Sequence, residues 1–215
     1  MTDRTRYTIE GLAEGEQEPG AIEPILRNRL GLRSQAALDQ AERLSLEMTQ
    51  TRLLELYTRN HRFTAADLCK VHALWLGDIY TWAGHYRQVN LSKDGFLFAA
   101  AHQVPHLMQQ YEVRFLKRYT PCCFKNLDEV ASAIAITHAE LILIHPFREG
   151  NGRLARLFAN LMALQAGLPF LDFKTFVEER PFYIAGIQES LEVQYERLTA
   201  LFKTVIQKTL AQYRP

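Results

Sequence analysis

A histidine, a carboxylate, two glycines and two arginines follow one another in the segment HPFREGNGRLAR, residues 145–156. A histidine side chain titrates close to neutral pH and can accept a proton from a hydroxyl. A glutamate can supply the oxygen ligand that Mg²⁺ prefers, and arginine guanidiniums match the geometry of phosphate oxygens. The segment therefore favours chemistry on a phosphate chain.

The glycines of this segment indicate a seat for an anion. Gly150 and Gly152 leave the backbone bare on either side of Asn151, where the hydrophobic periodicity predicts that a helix begins. The first amides of a helix lack intrahelical acceptors and carry partial positive charge, so phosphate can bind there. Arg153 and Arg156 are three residues apart and can project towards the same place.

Each of these features has an ordinary alternative when it is taken alone. A Gly-Asn-Gly sequence is usually a turn, and a histidine at a helix end is usually a cap. Two arginines at helical spacing usually lie on a solvated face. Only the conjunction of all of them in one segment favours a functional site.

Helices predicted on both sides must position this segment. The first begins after Asn126 and ends before Pro146, which excludes its preceding residue from the helical region. The second begins near Asn151 and ends at Gly167. Their expected buried faces are Val130, Ile134, His138, Leu141 and Ile142 in the first, and Leu154, Leu157, Phe158, Leu161 and Leu164 in the second.

Further helices are predicted at 34–57, 64–80, 102–119 and 181–212. The first of them is expected to bury Leu38, Ala41, Leu44 and Met48, and the next to bury Leu68, Val71, Trp75 and Ile79. Between 87 and 98 the period changes to two short β-prone runs around an Asp-Gly turn, which predicts a hairpin. The expected fold class is all-α with one β-hairpin.

The composition sets broad limits on class and partners. The 215 residues carry 25 Lys and Arg against 24 Asp and Glu, so the net charge of +1 gives no reason to expect nucleic acid or membrane as a partner. Three cysteines without metal-site spacing and a polar N-terminus favour a reduced protein of the cytoplasm. We expect a flexible arm at 1–20 and a single domain at 21–215.

The segment 145–156 resembles the signature of the Fic (filamentation induced by cAMP) family, H-x-F-x-[DE]-G-N-G-R-x-x-R, with every specified position matched. ILRNRLGLRSQAALDQAE, at 25–42, is similar to the N-terminal region of short bacterial Fic proteins of the toxin–antitoxin type. IYTWAGHYRQVNLSKDGFLFA, at 79–99, resembles their WAG-x-[YFL]-R segment and the flap that follows. The resemblance implies a helical bundle with a hairpin flap, at about 86–100, next to an active-site loop.

The resemblance also implies an activity, the transfer of AMP from ATP to a Ser, Thr or Tyr hydroxyl of a target protein, with release of pyrophosphate. His145 would then deprotonate the hydroxyl as it attacks the α-phosphorus. Glu149 would hold Mg²⁺ between the α- and β-phosphates. These roles agree with the chemistry of the residues, since such catalysis consists of positioning and charge stabilisation with one general base.

Phosphate-binding roles follow from the same resemblance. Gly150, Asn151 and Gly152 would form an anion hole, with the Asn151 side chain helping to orient the α-phosphate. Arg153 would bind the β-phosphate and Arg156 the γ-phosphate. ATP is thus the expected substrate and Mg²⁺ the expected metal ion.

The hairpin would clamp a segment of the target protein as an added strand. The flap residues expected to do so are Asn90, Leu91, Ser92 and Phe96, and a purely structural hairpin remains the alternative for each. Tyr183, at the start of the last helix, is the expected residue of the adenine pocket.

Restraint of the activity is the point where the sequence departs from many Fic proteins, which carry an inhibitory motif, [ST]-x-x-x-E-[GN]. Glu10-Gly11 and Glu14-Gly15 are preceded by Arg6 and Glu10 where Ser or Thr is required. Arg156 is therefore either restrained in trans or not restrained, and we favour a small helical antitoxin that supplies the glutamate.

Two other functions stay open on the same fold. One is transfer of a different phosphate-containing group, or removal of AMP from a modified protein. The other is a catalytically silent interaction module. The intact Gly152 argues against the first, and the intact His145 and Asn151 argue against the second, so the sequence favours an enzyme.

Overall fold

The structure, a computed structural model, describes residues 12–93 and 95–213. Its helices are α1 (Gln35–Leu56), α2 (Ala65–Leu76), α3 (Val104–Tyr111), α4 (Lys117–Tyr119), α5 (Leu127–Ile144), α6 (Asn151–Gln165), α7 (Lys174–Glu178), α8 (Arg180–Glu189) and α9 (Glu196–Gln212). A π-type turn, Glu112–Leu116, joins α3 to α4. Strands β1 (Ser92–Lys93) and β2 (Phe96–Leu97) form an antiparallel hairpin. The all-α class with one hairpin is confirmed.

The central helices α5 and α6 carry the residues on either side of the segment 145–156. Helix α5 packs against α6 and α9, and α6 also packs against α2, which lies against α1. Nearly every side of α6 is buried, and the predicted faces of both central helices are confirmed apart from Leu164, which is only partly buried. Core packing on both helices therefore fixes the two ends of the loop between them.

Three helices begin close to the predicted positions, and each of them has a side-chain cap. The side chains of Ser34, Thr64 and Asn126 each accept a hydrogen bond from a first-turn amide, of α1, α2 and α5 respectively. Thr64 also forms a capping box with Asp67. Such a cap satisfies an amide that has no intrahelical partner and contributes about 1 kcal/mol. These helix starts are thus determined locally.

The buried face of α1 differs from the predicted one. Leu38 is buried as expected, but Leu44 and Met48 are 47% and 69% exposed. Glu42 and Thr49 face the interior instead. Their side chains form hydrogen bonds with neighbouring helices, which offsets the free-energy cost of burying polar groups. The hydrophobic pattern alone could not reveal this orientation.

The C-terminal region forms two long helices, so the prediction of one continuous helix at 181–212 is wrong. Between α8 and α9 lie a 3₁₀ turn, Ser190–Glu192, and Val193 in the left-handed region with φ 63°. Gly186 allows the two helices to approach closely, because a Cβ there would lie 2.8 Å from Cγ of Leu198. The break lets α8 fold back onto α9, and helical periodicity does not reveal such a reversal.

Residues 12–20 lie against the domain, whereas the sequence led us to expect a flexible arm at 1–20; residues 1–11 lie outside the described part. Glu14 is buried. Its carboxylate accepts a hydrogen bond from the Gln88 amide (2.6 Å), and its backbone carbonyl accepts one from Nε of Arg148 (2.6 Å). This N-terminal segment therefore contacts both the hairpin base and the loop after α5.

Across the described residues, no helix offers an apolar stretch long enough to cross a bilayer. Cys69, Cys122 and Cys123 are free thiols, as the cysteine count predicts. Burial raises the pKa of the Cys122 thiol to about 12, with a further contribution from Cys123, which keeps that thiol protonated and unreactive.

Candidate active site

His145 ends α5 in a left-handed conformation, with φ 52° and ψ 59°. Its amide donates to the carbonyl of Leu141 (3.0 Å), and its Nδ1 lies 3.1 Å from the carbonyl oxygen of Ile142. Because a carbonyl only accepts, Nδ1 carries the proton and Nε2 keeps a lone pair. Burial, together with the charges of Arg87 and Lys93, lowers the pKa of His145 to about 4, so the imidazole is neutral at pH 7.

The side chain of Asn151 closes the loop between α5 and α6. Its Oδ1 accepts a hydrogen bond from the Phe147 amide (2.9 Å), and its Nδ2 donates one to the Phe147 carbonyl (2.7 Å). The resemblance implied that this side chain orients an α-phosphate. In this structure it is buried, and both of its polar groups bond the loop backbone instead.

His72, in α2, contacts the same loop. Its ring stacks on Phe147 with 4.0 Å between centroids and 10° between planes. Its Nδ1 accepts a hydrogen bond from the Gly84 amide (2.8 Å), and its Nε2 lies 3.1 Å from the Glu149 carbonyl oxygen. Burial lowers the pKa of His72 to about 4, so one ring nitrogen can accept while the other donates. The WAG segment, Trp82–Gly84, is thereby connected to the loop.

Gly150 occupies a position that only glycine fits. Its φ is +82°, a conformation that L side chains rarely adopt. A Cβ there would lie 2.7 Å from Cζ3 of Trp75 and 3.3 Å from Cδ1 of Leu76. The loop therefore crosses directly over α2, and this close approach determines where α6 begins.

The first turn of α6 presents its amides without a side-chain cap. Gly150 is the N-cap residue, and no side-chain cap hydrogen bond is present. Gly152 has ordinary space around it, because a Cβ there would meet only Nη1 of Arg156, at 3.7 Å. The fold thus requires glycine at 150 but not at 152. The uncapped amides suit the binding of an anion, and packing does not explain the glycine at 152 beside them.

Arg153 is held between two carboxylates and an aromatic ring. Its Nη1 donates to Oε2 of Glu42 (2.5 Å), and its Nη2 lies 3.5 Å from Oε1 of Glu149. Its guanidinium carbon is 4.8 Å from the centre of the Trp75 ring, a cation–π contact. The Arg153 side chain is nevertheless 31% exposed, so part of its donor set is accessible.

Arg156 is half-buried and has no carboxylate partner within 12–93 and 95–213, in contrast to Arg153. Burial lowers the pKa of Arg156, and the neighbouring Arg153 contributes in the same direction. A half-buried cation without a counter-ion favours binding of an anion from outside. Together the two arginines place a surplus of positive charge beside the start of α6.

Tyr183, the residue expected in the adenine pocket, lies in an aromatic cluster beside Arg156. Its hydroxyl is 3.0 Å from Nε2 of His138, and its ring stacks on Phe176 with centroids 4.7 Å apart. Burial lowers the pKa of His138 to about 3, with Arg156 contributing, so this histidine is neutral. The predicted location of His138 in the core is confirmed.

Glu149 supplies one carboxylate that is accessible to a metal ion. Its side chain is 42% exposed, and the contacts to the Gly150 amide and to Arg153 both involve Oε1. No group of three or more His, Cys, Asp or Glu side chains suited to a metal occurs in the described part of the chain. The single carboxylate of Glu149 fits Mg²⁺, which commonly takes one or two carboxylates together with substrate phosphates and water.

Arg87 joins the hairpin base to the end of α5. The buried guanidinium donates through Nε to the His145 carbonyl (2.6 Å), through Nη1 to Val89 (2.8 Å), and through Nη2 to the carbonyls of Ala99 and Ile144. Burial lowers the pKa of Arg87 to about 10, so it stays charged at pH 7. These bonds satisfy carbonyls that the helix end would leave without partners.

The hairpin contacts the histidine through stacked aromatic rings. Phe98 stacks on the imidazole of His145, with centroids 3.7 Å apart and an interplanar angle of 17°. Phe96 meets Phe98 edge-on at 5.3 Å. A change in the position of the hairpin would therefore alter the environment of the His145 ring.

The four expected flap residues differ in environment. Leu91 is buried, so its side chain is not available to a docked strand. Oδ1 of Asn90 accepts a hydrogen bond from the Ala101 amide (2.8 Å). Ser92 and Phe96 do lie in the paired strands, which contain two residues each and are shorter than predicted. Asp94, for which the sequence predicts a turn, lies outside the described residues.

Four residues of the site were missed as functional candidates by the sequence analysis: Glu42, His72, Arg87 and Phe98. Arg87 ends the WAG-x-[YFL]-R segment, so the motif offered a signal for its importance. Glu42 ends the similar N-terminal segment but was not distinguished from its surface neighbours. Nothing in the spacing of His72 or Phe98 indicated that both rings stack on residues of the loop.

The chain was compared with known families and proteins. The Fic/DOC family profile matches residues 62–163. Protein adenylyltransferase VbhT of Bartonella schoenbuchensis is 32% identical over 152 residues, covering 66% of this chain and 30% of that protein. Probable protein adenylyltransferase Fic of Salmonella typhimurium is 25% identical over 154 residues, covering 66% and 70%. The chain thus spans under a third of the length of the first of these relatives.

Solved Fic-domain structures share the fold. The N-terminal FIC domain of Bep8 from Bartonella sp. 1-1C gives a TM-score of 0.73 at 17% identity, covering 92% of this chain and 98% of that one. BepC of Bartonella tribocorum, solved with bound AMPPNP, gives 0.66 at 20% identity, covering 88% and 94%. At these identities the likeness establishes the architecture.

Replacing Gly150 with alanine tests the close approach of the loop to α2. We expect Gly150→Ala to lower the free energy of unfolding by about 3 kcal/mol or more, since backbone strain and the contact with Trp75 add together. Gly31→Ala is the matched control, because its φ is +63° and a Cβ there would meet nothing within 4 Å. It should cost only about 1 kcal/mol. Equal losses in urea denaturation would contradict the steric argument.

Replacing Phe98 with leucine tests the contact between the hairpin and His145. Removing the stacked ring should hydrate the imidazole and raise the pKa of His145 from about 4 towards 6.5. Titration of the ring protons by NMR measures this shift, which we expect to be about one unit or more. Phe96→Leu, which changes a ring that contacts Phe98, is the control and should shift the pKa much less. An unchanged pKa in Phe98→Leu would refute this effect.

Proposed function

Because this chain belongs to the Fic/DOC family, we propose that it is a protein adenylyltransferase, which transfers AMP from ATP to a Ser, Thr or Tyr hydroxyl of a target protein. The family profile and relatives named as protein adenylyltransferases support this proposal. The observation that carries it is a neutral histidine placed directly before an uncapped helix start with surplus positive charge.

His145 acts as the general base in this proposal. Its Nδ1–H is directed to the Ile142 carbonyl, which leaves the Nε2 lone pair for the proton of the attacking hydroxyl. The hydroxyl oxygen bonds to the α-phosphorus as the bond to the bridging oxygen breaks, and pyrophosphate leaves. A bound polyphosphate would raise the pKa of the imidazole from its low value, because negative charge stabilises the protonated form.

The start of α6 holds the phosphates in this proposal. The backbone amides of Gly150, Asn151 and Gly152 form the anion hole, with the Asn151 side chain acting through the loop that it closes. Arg153 binds the β-phosphate. Arg156 binds the γ-phosphate, which serves as the counter-ion that the described residues do not supply. Positioning and charge stabilisation of this kind provide most of the rate in phosphoryl-group chemistry.

Glu149, whose side chain is 42% exposed, would hold Mg²⁺ together with phosphate oxygens and water. Bound there, the ion would supply charge neutralisation to the phosphate chain. The Arg153 contact to Oε1 of Glu149 is long, at 3.5 Å, and the Gly150 amide also bonds Oε1 and not Oε2. The carboxylate can therefore bind a metal without losing the close Arg153–Glu42 pair.

The hairpin positions the target by pairing with a segment of it as an added strand. Because main-chain hydrogen bonds form this pairing, the sequence of the target segment can vary. Ser92 and Phe96 lie in the paired strands and are the expected docking residues, with Asn90 and Leu91 supporting the base. Tyr183 is proposed for the adenine pocket because it belongs to an aromatic cluster, and aromatic rings can stack on a base.

A small helical antitoxin restrains the enzyme in this proposal, by offering a glutamate to Arg156. Glu10 lies outside the described residues, and the Glu14 carboxylate bonds the Gln88 amide. The Arg156 guanidinium, which has no carboxylate partner among the described residues, is the feature that supports this role. We place the activity in the cytoplasm, where ATP is available and where the three free thiols stay reduced.

The test of the activity uses ATP labelled on the α-phosphate, Mg²⁺ and a host-cell lysate. Wild type should label discrete protein bands, and His145→Ala should lower the labelling by about 100-fold or more, because the general base is lost. Excess chelator should abolish labelling, and Glu149→Gln should raise the Mg²⁺ concentration required. His106→Ala, at an exposed position, is the matched control and should retain full activity.

The opposite results also have clear meanings. Equal labelling by wild type and His145→Ala would refute the role of the base. Label transferred only from γ-labelled ATP would replace the proposal with transfer of a different phosphate group. Absence of any labelling together with absence of nucleotide binding would favour a silent interaction module.

The antitoxin is tested by coexpressing this chain with the genes that neighbour it. A small protein carrying [ST]-x-x-x-E-[GN] should copurify and suppress labelling, and replacing its motif glutamate with alanine should restore labelling without abolishing copurification. Full activity of the chain beside every neighbouring product would contradict restraint in trans.

A further inference from the structure

Glu42 is a buried carboxylate on α1, remote in sequence from the loop that it serves. It is 3% exposed. Its Oε2 accepts a hydrogen bond from Nη1 of Arg153, 111 residues away, and its Oε1 accepts one from the hydroxyl of Tyr80, each at 2.5 Å. A buried carboxylate is costly unless it is paired and hydrogen-bonded. Both of its oxygens are therefore committed within the protein.

Trp75 links the backbone of Glu42 to the same arginine. Its Nε1 donates to the Glu42 carbonyl oxygen at 2.8 Å, and its ring lies 4.8 Å from the Arg153 guanidinium carbon. The ring and the carboxylate thus hold the guanidinium on two sides. The remaining, exposed part of Arg153 is available at the start of α6.

We propose that Glu42 is a positioning residue, which holds the Arg153 guanidinium in the orientation that binds the β-phosphate of the nucleotide. This inference rests on the proposed function. An arginine has five N–H donors, and Glu42 accepts from only one of its nitrogens, so donors remain for a phosphate. Because Tyr80 and burial hold Glu42 in place, it can fix the arginine without following it towards a ligand.

The opposite role is a competitor that neutralises Arg153 and weakens phosphate binding. The two roles predict effects of opposite sign when the charge of Glu42 is removed. Glu42→Gln retains the shape of the side chain and can still accept the Tyr80 hydrogen bond. The amide, however, has one acceptor oxygen in place of two and carries no charge, so it cannot accept from both Tyr80 and Arg153, and the guanidinium loses its charged anchor.

Equilibrium binding of ATP and of AMP to the purified full chain, measured by calorimetry, tests the proposal. We expect Glu42→Gln to weaken ATP binding by about tenfold and to change AMP binding by less than about twofold. The difference arises because AMP has no β-phosphate. A general structural defect would weaken both nucleotides, so this comparison separates positioning from folding.

Two further variants make the comparison specific. Glu47→Gln removes a carboxylate from the same helix, where it pairs with Arg43 on the surface, and should leave both affinities unchanged. Arg153→Ala should weaken ATP binding, and adding Glu42→Gln to it should have no further effect. Such non-additivity is expected when one residue acts through the other.

Thermal unfolding shows whether Glu42→Gln is folded. If it is not, Glu42→Asp retains the charge but draws it back from Arg153, and the same selective loss for ATP is expected. Tighter ATP binding by the folded variant would make Glu42 a competitor, and equal losses for ATP and AMP would make it merely structural; either overturns the proposal. Wild type that does not bind ATP overturns the proposed function as well, whereas normal binding of ATP by Glu42→Gln overturns this inference alone.

Discussion

The loop between α5 and α6 must hold several backbone groups away from water, and the rest of the site depends on satisfying them. The end of α5 leaves carbonyls without intrahelical partners. Arg87 bonds the carbonyls of Ile144 and His145, Asn151 bonds both backbone groups of Phe147, and His72 bonds the Glu149 carbonyl. Since these side chains are themselves buried, the loop has little freedom to choose another path.

The same constraint determines the electrostatics of the site. The side chains of Asn151 and His72 bond the loop backbone, and the first turn of α6 has no side-chain cap. Arg153 is balanced by Glu42 and Glu149, but Arg156 lacks a carboxylate within the described chain. Satisfied backbone carbonyls and surplus positive charge at the start of α6 favour the binding of an anion there.

The hairpin is the weakest element by contrast, since two-residue strands give few cross-strand contacts. Its base is nevertheless firmly held, because Arg87 bonds Ala99 and Val89 as well as the end of α5. Phe98, directly after β2, stacks on the His145 ring. A fixed base with short paired strands is compatible with the strand addition proposed above.

The sequence by itself determined most of the helices and the segment 145–156, because these depend on periodicity and on residues close together in the chain. It also indicated the family, because the motif places several of the site residues within twelve consecutive positions. Only the tertiary structure decided that Glu42 faces inwards, that Asn151 closes the loop and that α8 folds back on α9. Glu42 depends on Arg153, 111 residues away, and the reversal of α8 depends on its packing against α9. Asn151 bonds Phe147 only four residues away, but it can do so only in the loop conformation that the fold imposes.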